Sequence, residues 1–434
     1  MNPADNAPQG VVAAIRHALA WLVIGNAIGV MLAVLLLVPS LNVWLGEWTY
    51  GRWMMVHMNT ALFGWASLPM VAFLFHAYKA DAGPTASWCR PAVWLWSAAL
   101  LIGSYSWLSG ESSGKLFLDW TGFARVFFPL ALVALWFVLT IAFFRKPGRD
   151  TSAIAAKSIG LLILLAVPFA LYFASSPGVY PFINPDTGGP TGQSQLESSL
   201  GIVLILLLVP FGIAPRHSQS RRAVLLAWCA LAAEFALCAS LGRADISHRA
   251  VSQWLSFGSM LLWIPVIPAY YRAFEWQAST RRWRIAMQWW WALLVLTGWV
   301  SFLPGVLDRI KFTDVLVGHS LVAVAGFLSA YLLFVMTQLL GDDDAWILTR
   351  TWSFITWNLG VFAYVVVISI AGCIEAIHPA FTIVPGSTRD LLYSLRLLTG
   401  IAMLVSSLEW LIAARFIAQS TASIVHQTAG VEVA

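Results

Sequence analysis

Charge is what this chain has least of. Asp, Glu, Lys and Arg make up 10% of its 434 residues, while 59% are hydrophobic and 24 are Trp. So few charges cannot clothe a water-exposed globule of this size, and the composition is that of a polytopic membrane protein. Cysteine is also scarce: Cys89, Cys229, Cys238 and Cys373 stand in no CxxC or CxxCH spacing. That excludes an encoded zinc site and covalent haem attachment, and leaves the four as small apolar fillers. No basic surface interleaved with aromatics is present, so the pI of about 9.1 follows from topology and implies no nucleic-acid partner. Histidine is the last shortage. Of the eight, only His57 and His319 lie well inside apolar segments.

Long apolar runs are what the chain has in abundance. Runs of roughly 20 apolar residues are long enough to span a bilayer. Twelve are found, near 13–38, 53–77, 91–108, 124–144, 157–174, 196–214, 223–241, 251–271, 286–303, 315–340, 352–374 and 391–414. The expected fold class is an all-α integral membrane protein, a twelve-helix bundle in one domain over 1–434. No connection is long enough for a separate soluble domain. The first run reads as a retained signal anchor. Lys and Arg orient the chain, because they accumulate on the cytoplasmic side. Nine of the 25 (Arg52, Lys115, Arg125, Arg243, Arg249, Arg309, Lys311, Arg389 and Arg396) fall outside, and the other sixteen fall inside. Both termini are therefore expected in the cytoplasm, as tails 1–12 and 416–434. The acidic run Asp342-Asp343-Asp344 counts for little in this rule.

His57 and His319 both follow an entry from the outer face, which puts them at matching depth. An ionisable side chain in the membrane is costly and marks a functional position. Two imidazoles at one level read as axial ligands to haem, since neutral imidazole suits iron. Gly318 and Gly326 would let a flat macrocycle approach the helix backbone. The alternative is that each imidazole bonds a carbonyl or side chain across a helix interface. His76 reads as a snorkelling residue at the inner interface, and His17, His217, His248 and His426 as loop or terminal residues. Arg52, Arg389 and Arg396 sit near the outer interface, where a guanidinium fork matches a haem propionate; interfacial anchoring would place arginines there too. Trp53 and Trp65 can pack near the ring, but belt residues are common among so many tryptophans. The connection from Val179 to Gly192 is rich in Pro and Gly and reads as a set of fixed turns. It serves as a plain connector, a cap on the haem face or a docking site.

The opening of the second run, Tyr50-Gly51-Arg52…His57-x-Asn59…Phe63-Gly64, resembles the low-spin haem helix of the haem-copper oxidase subunit I superfamily. The resemblance is closest to the cbb-type oxidases and the nitric oxide reductases. Thr313-Asp314-x-x-x-Gly318-His319, with Gly326 seven residues on, is similar to their tenth helix. So is Glu375-Ala376-Ile377-His378-Pro379 to the segment before their last helix, which places His378 above the haem edge. Twelve spans with a cytoplasmic N-terminus match the family's minimal core.

The departures are large. Leu321 stands where the family's tenth helix carries its second histidine. The starts and ends that should hold the copper, or the reductases' non-haem iron, carry no histidine: Gln193-Ser194-Gln195-Leu196-Glu197-Ser198-Ser199 and Glu234-Phe235-Ala236-Leu237-Cys238-Ala239-Ser240. Nor does a tyrosine stand in the seventh run.

The resemblance therefore implies a divergent member that lacks the copper-site histidines. It would bind at least one haem b, with copper not expected, and transfer electrons within a respiratory-type complex. The expected setting is a bacterial inner membrane, with the haem ligands near the periplasmic face. The implied partners are a c-type cytochrome subunit or soluble cytochrome c on that side, other small membrane subunits, and the lipid bilayer. Residues two apart on a helix point about 200° apart, so two arrangements stay open. A rotated tenth helix lets His57 and His319 share one haem; otherwise each serves its own. Gln195, Glu197, Glu234 and Cys238 can in principle hold another ion, although Glu234 reads more readily as a proton-linked carboxyl in a polar cavity. Should oxygen or nitric oxide chemistry survive on a non-standard metal site, Glu197 and Glu234 are the catalytic candidates. A cofactor-free structural or assembly subunit is the other alternative. A transporter would carry paired broken helices and a half-repeat, and neither is evident in the sequence.

Overall fold

A backbone in hydrocarbon must satisfy its own N–H and C=O groups, so apolar runs of this length can only be helices. The computed structural model describes residues 9–115, 117–145, 151–217 and 221–417. His426, Lys146, Arg149 and most of the two tails lie outside the described residues. The helices are α1 (Gln9–Leu37), α2 (Tyr50–Tyr78), α3 (Ala86–Leu108), α4 (Gly122–Arg145), α5 (Ile154–Ala174), α6 (Gly192–Ile213) and α7 (Arg221–Ser240). They continue as α8 (Val251–Tyr271), α9 (Ala278–Phe302), α10 (Asp314–Asp344), α11 (Thr351–Ile377) and α12 (Ser387–Phe416). Among the described residues, strand pairing is confined to two isolated bridges, Ile183 with Pro190 and Arg216 with Phe274.

Eleven of the helices are long and apolar enough to cross a membrane, and the chain is a membrane protein. The exception is α3, which covers the expected run 91–108. Its four Trp, four Ser and Arg90 dilute its apolarity over 23 residues. Helices also outrun the apolar segments that announce them. Helix α9 begins at Ala278, eight residues before the apolar run at 286. Arginine is a good helix former, so Arg281, Arg282 and Arg284 extend the helix while their long stems reach toward water.

Three helices are locally rewound. A π-helical segment occupies Thr60–Ala66 in α2, and another occupies Val322–Leu328 in α10. Helix α8 narrows to 3₁₀ winding over Gly258–Leu262. Near its end α10 kinks at Gly341, whose φ of 79° favours glycine.

Two compact units divide the chain. The first comprises Met1–Tyr180, Val335–Phe354 and Gly400–Ala434; the second comprises Pro181–Phe334 and Ile355–Thr399. An aromatic nucleus fills the first. Trp120 stacks on Phe128 at 4.8 Å, and Phe63 and Trp96 meet the Phe128 ring edge-on at 4.7 Å each. Indole N–H groups buried with them need acceptors: Trp96 donates to Phe63 O at 2.7 Å, and Trp107 to Asp119 O at 2.5 Å. Here tryptophan is core. Trp65, Trp107 and Trp120 are fully buried. His17, expected in a loop, is a helical residue of α1; its Nδ1 lies 2.7 Å from Ser97 Oγ. The start of α1 is capped from afar, with Gly10 and Val11 donating their N–H groups to the two Asp81 oxygens at 2.8 and 2.7 Å. Burial nonetheless pushes the Asp81 carboxyl above its ordinary range, outweighing these two hydrogen bonds.

The second unit ties three of its connections together through His248. Sequence reading made this a loop residue, and it is one, but it is wholly buried. Its Nδ1 lies 3.2 Å from Asp186 and its Nε2 lies 3.3 Å from Asp308. Neither ring nitrogen makes an aligned hydrogen bond, so the clasp rests on close approach rather than on directed bonds. Asn184 closes the loop that carries Asp186: its side chain accepts from Asp186 N at 3.0 Å, and its backbone pairs with Gly188 and Gly189. Burial alone would push the Asp308 carboxyl up, but the Gly305 N–H, the Arg249 guanidinium and His248 outweigh it and hold it below the ordinary carboxylate range.

Two outcomes follow from this packing. A Cβ at Gly10 would stand 2.3 Å from Cys89 Cβ and 2.7 Å from Asp81 Oδ1. Gly10→Ala should therefore cost roughly 1–3 kcal/mol, the usual scale of overpacking, read as a lower thermal midpoint; an unchanged midpoint would mean the α1 start moves freely. Asp308 titrates below its unfolded value. Its contribution is complete above the ordinary Asp range and disappears as pH falls through the depressed value. Asp308→Asn should lower the neutral stability plateau and shrink the acid-side loss, and a curve identical to wild type would refute the clasp.

Candidate functional site

Each of the two membrane histidines bonds the neighbouring helix, the interface contact that was the alternative to haem ligation, and the contact leaves open whether the ring also holds a metal. His57, in α2, directs Nδ1 at Gly25 O of α1, 2.8 Å away. A carbonyl only accepts, so Nδ1 carries the proton and Nε2 is the lone-pair nitrogen. The contact needs a gap in α1. Gly29, one turn past Gly25, supplies it: a Cβ there would lie 3.0 Å from His57 Cε1. Further along α2, Gly64 lies flat against Trp21, where a Cβ would come within 2.6 Å of the indole. The π segment begins three residues after His57, and Ser67 Oγ closes it onto Leu62 O at 2.9 Å.

His319, in α10, is held in the same manner from α9. Its Nδ1 lies 3.1 Å from Thr297 Oγ1, and that hydroxyl donates to Leu293 O at 2.7 Å. With its proton committed, Thr297 can only accept from the ring, so Nε2 is again the lone-pair nitrogen. A Cβ at Gly298 would lie 3.1 Å from His319 Cε1. The imidazole lines a cavity of about 270 Å³ whose polar atoms also come from Thr297, Ser301 and Ser369, with Leu296, Val300 and Val322 among its apolar walls. Gly318 packs on Ser369, 2.8 Å from a would-be Cβ. Neutral imidazole anchored at one nitrogen is the form in which histidine ligates a metal.

The start of α10 is capped from the end of α11. Glu375 accepts from Asp314 N at 2.9 Å, and Thr313 Oγ1 accepts from Val315 N at 3.3 Å. A carboxylate at a helix N-terminus satisfies its orphan N–H groups and meets its positive end. Gly372 lets α11 approach there, since a Cβ would fall 2.2 Å from Val315 N. His378 is exposed and begins the turn Pro379–Thr382.

All three candidate arginines have protein partners. Arg52 donates to Leu108 O at 2.9 Å, which caps α3. Buried Arg389 donates to Thr382 O at 3.0 Å and pairs with Asp390 at 2.9 Å. Arg396 donates to the Tyr364 hydroxyl at 2.6 Å and lies 3.7 Å from Asp314.

The two candidate glutamates differ in kind. Glu197 forms a surface ion pair with Arg243 at 2.6 Å and accepts from Gln193 at 3.0 Å. Glu234 is 6% exposed. It faces Ser259 and Trp263 of α8, yet its two oxygens, Ser259 Oγ and Trp263 Nε1 all lack an aligned hydrogen bond. Cys238, one turn on, meets Gln193 Nε2 at 3.5 Å, and Gln195 starts its helical bond at Thr191 O. Among the described residues, no group of three or more His, Cys, Asp or Glu is placed to hold a metal ion.

Sequence reasoning missed the anchors. Gly29, Thr297 and Gly298 carry a faint signal, a small residue in an apolar run, that many packing contacts share.

No family model and no curated protein matches the chain. Among solved structures it is similar to a haem-copper terminal oxidase, seen as a dimer by cryo-electron microscopy. The TM-score is 0.51 at 12% sequence identity, over 95% of this chain and 84% of that one. What the chain shares with that oxidase is its fold.

Proposed function

We propose that this chain is a haem b-binding membrane subunit that transfers electrons in a respiratory-type complex, with His57 and His319 as iron ligands. The observation that carries the reading is the state of the two imidazoles. Each bonds through Nδ1 to an acceptor on the adjacent helix, which fixes the ring and puts its lone pair on Nε2. A hydrogen bond at the far nitrogen orients a ligand histidine and raises its basicity. Haem bound there would supply reversible one-electron chemistry. The oxidase-like fold supports the same reading. The proposal includes twelve spans, counting α3 as the third, with both termini in the cytoplasm of a bacterial inner membrane. The haem ligands would then lie near the periplasmic face, where a c-type cytochrome exchanges electrons with the site.

The chain's own donors argue against a copper partner for that haem, since the sixth and seventh helices offer no imidazole. Glu234 is instead a proton-linked carboxyl: buried, apart from cationic side chains, and facing a hydroxyl and an indole on α8.

The deciding experiment is a reduced-minus-oxidised optical spectrum of the purified protein, with pyridine haemochrome and metal analysis on the same sample. The expected result is a low-spin b spectrum without stoichiometric copper, diminished or abolished in His57→Ala and in His319→Ala. A haem-free protein would sink the reading and leave a structural subunit; stoichiometric copper or consumption of oxygen or nitric oxide would make it a terminal enzyme.

A further inference from the structure

The two histidine sites are copies of one helix pair. Trp21 and Gly29 on α1 correspond to Trp290 and Gly298 on α9, both at an offset of 269 residues. His57, Gly64 and Ser67 on α2 correspond to His319, Gly326 and Ser329 on α10, all at an offset of 262. The contacts repeat with the residues. Trp290 lies against Gly326 as Trp21 lies against Gly64, with a would-be Cβ 2.5 and 2.6 Å away. Gly298 underlies His319 as Gly29 underlies His57. The π segments Thr60–Ala66 and Val322–Leu328 obey the same offset. So do their closing bonds, Ser67 Oγ to Leu62 O and Ser329 Oγ to Val324 O, each 2.9 Å. A half-repeat that the sequence does not announce is therefore present locally, in residue, winding and contact.

Against that background one position stands out. At an offset of 269 the counterpart of Gly25 is Leu294, and the counterpart of Thr297 is Ile28. In the first copy the ring nitrogen reaches the carbonyl directly. In the second a hydroxyl intervenes: Thr297 Oγ1 receives His319 Nδ1, donates to Leu293 O at 2.7 Å and reaches Leu294 O at 3.3 Å. Valine, the isostere of threonine without a hydroxyl, would take away the oxygen that His319 Nδ1 meets.

We propose that Thr297 is the positioning residue of His319: its hydroxyl fixes the ring as the Nδ1–H tautomer and sets this site apart from its copy at His57. A hydroxyl oxygen is a weaker acceptor than an amide carbonyl, and the contact is longer, 3.1 Å against 2.8 Å. His319 is thus less basic than a direct carbonyl bond would make it, and a metal group on it is held less tightly and at higher potential. The ligand half of the proposal rests on the haem-binding reading; the tautomer half does not.

The test uses the full-length protein in bilayers with ¹⁵N-labelled histidine, comparing wild type, Thr297→Val and Thr297→Ser. The His319 resonances are identified by their loss in His319→Gln. Wild type and Thr297→Ser should show a single Nδ1–H tautomer, and Thr297→Val should lose it. On the same samples, Thr297→Val should lower haem retention at His319 roughly tenfold or more, the scale on which such outer partners act. It should also raise the midpoint potential of the haem that His319 ligates, with Thr297→Ser restoring both. A single unaltered tautomer in Thr297→Val overturns the proposal whatever the haem content. A tautomer that follows Thr297 in a protein without haem upholds the positioning role and removes the haem reading. An unchanged potential, with the haem still lost in His319→Ala, overturns the tuning and leaves that reading intact.

Discussion

An imidazole among apolar side chains must give its N–H an acceptor, because water is not there to take it and an unpaired polar group in hydrocarbon costs several kcal/mol (about 2–7). The local architecture around His57 and His319 can be derived from that one requirement. Each ring has to reach a neighbouring helix, so that helix must present an oxygen and stay out of the ring's way. Glycine at 29 and 298 clears the path. Gly25 O and Thr297 Oγ1 are the oxygens. Once one nitrogen is committed, the tautomer is chosen, and the other nitrogen carries the lone pair that chemistry can use.

Close approach has to be maintained along the whole pair of helices, and this explains the tryptophans and the rewound turns. Gly64 and Gly326 accept the faces of Trp21 and Trp290, which pins the same helix pair one turn or two beyond the imidazole. A π segment begins three residues after each histidine, closed by a serine hydroxyl onto a carbonyl five residues back. Such segments widen the helix and often mark functional positions. The winding is thus tied to the ring it follows. A substitution at Ser67 or Ser329 would be felt at the histidine without touching it.

Charges outside the two sites are used chiefly as fasteners. Asp81 caps α1, Glu375 caps α10, Arg52 caps α3, and His248 bridges Asp186 and Asp308. With few charged side chains available, most of the interior ones meet an opposite charge, a carbonyl or an orphan N–H. Glu234 departs from this pattern. Its carboxyl on α7 and Ser259 and Trp263 on α8 are polar groups brought together without aligned bonds, with Ser259 inside the 3₁₀ winding and Trp263 just after it.

The helical class and the positions of the long runs were legible in the sequence, as was the place of His57 and His319 inside apolar helices. Hydrophobic length dictates a helix wherever the backbone must bond to itself, and a rare polar residue in such a run identifies itself. The capping role of Glu375 was not legible, because one carboxylate at the end of a run looks like any interfacial acid. Nor could His248 be told from an exposed loop residue: its burial depends on Asp186 and Asp308, which are 62 and 60 residues away. The duplicated helix pair was hidden for a related reason, since the repeat is kept in contacts between helices and in only a few identities along them. Composition and run length determined what this protein is made of; only tertiary packing decided which oxygen meets each imidazole, because that choice belongs to a neighbouring helix and leaves no periodicity in the sequence.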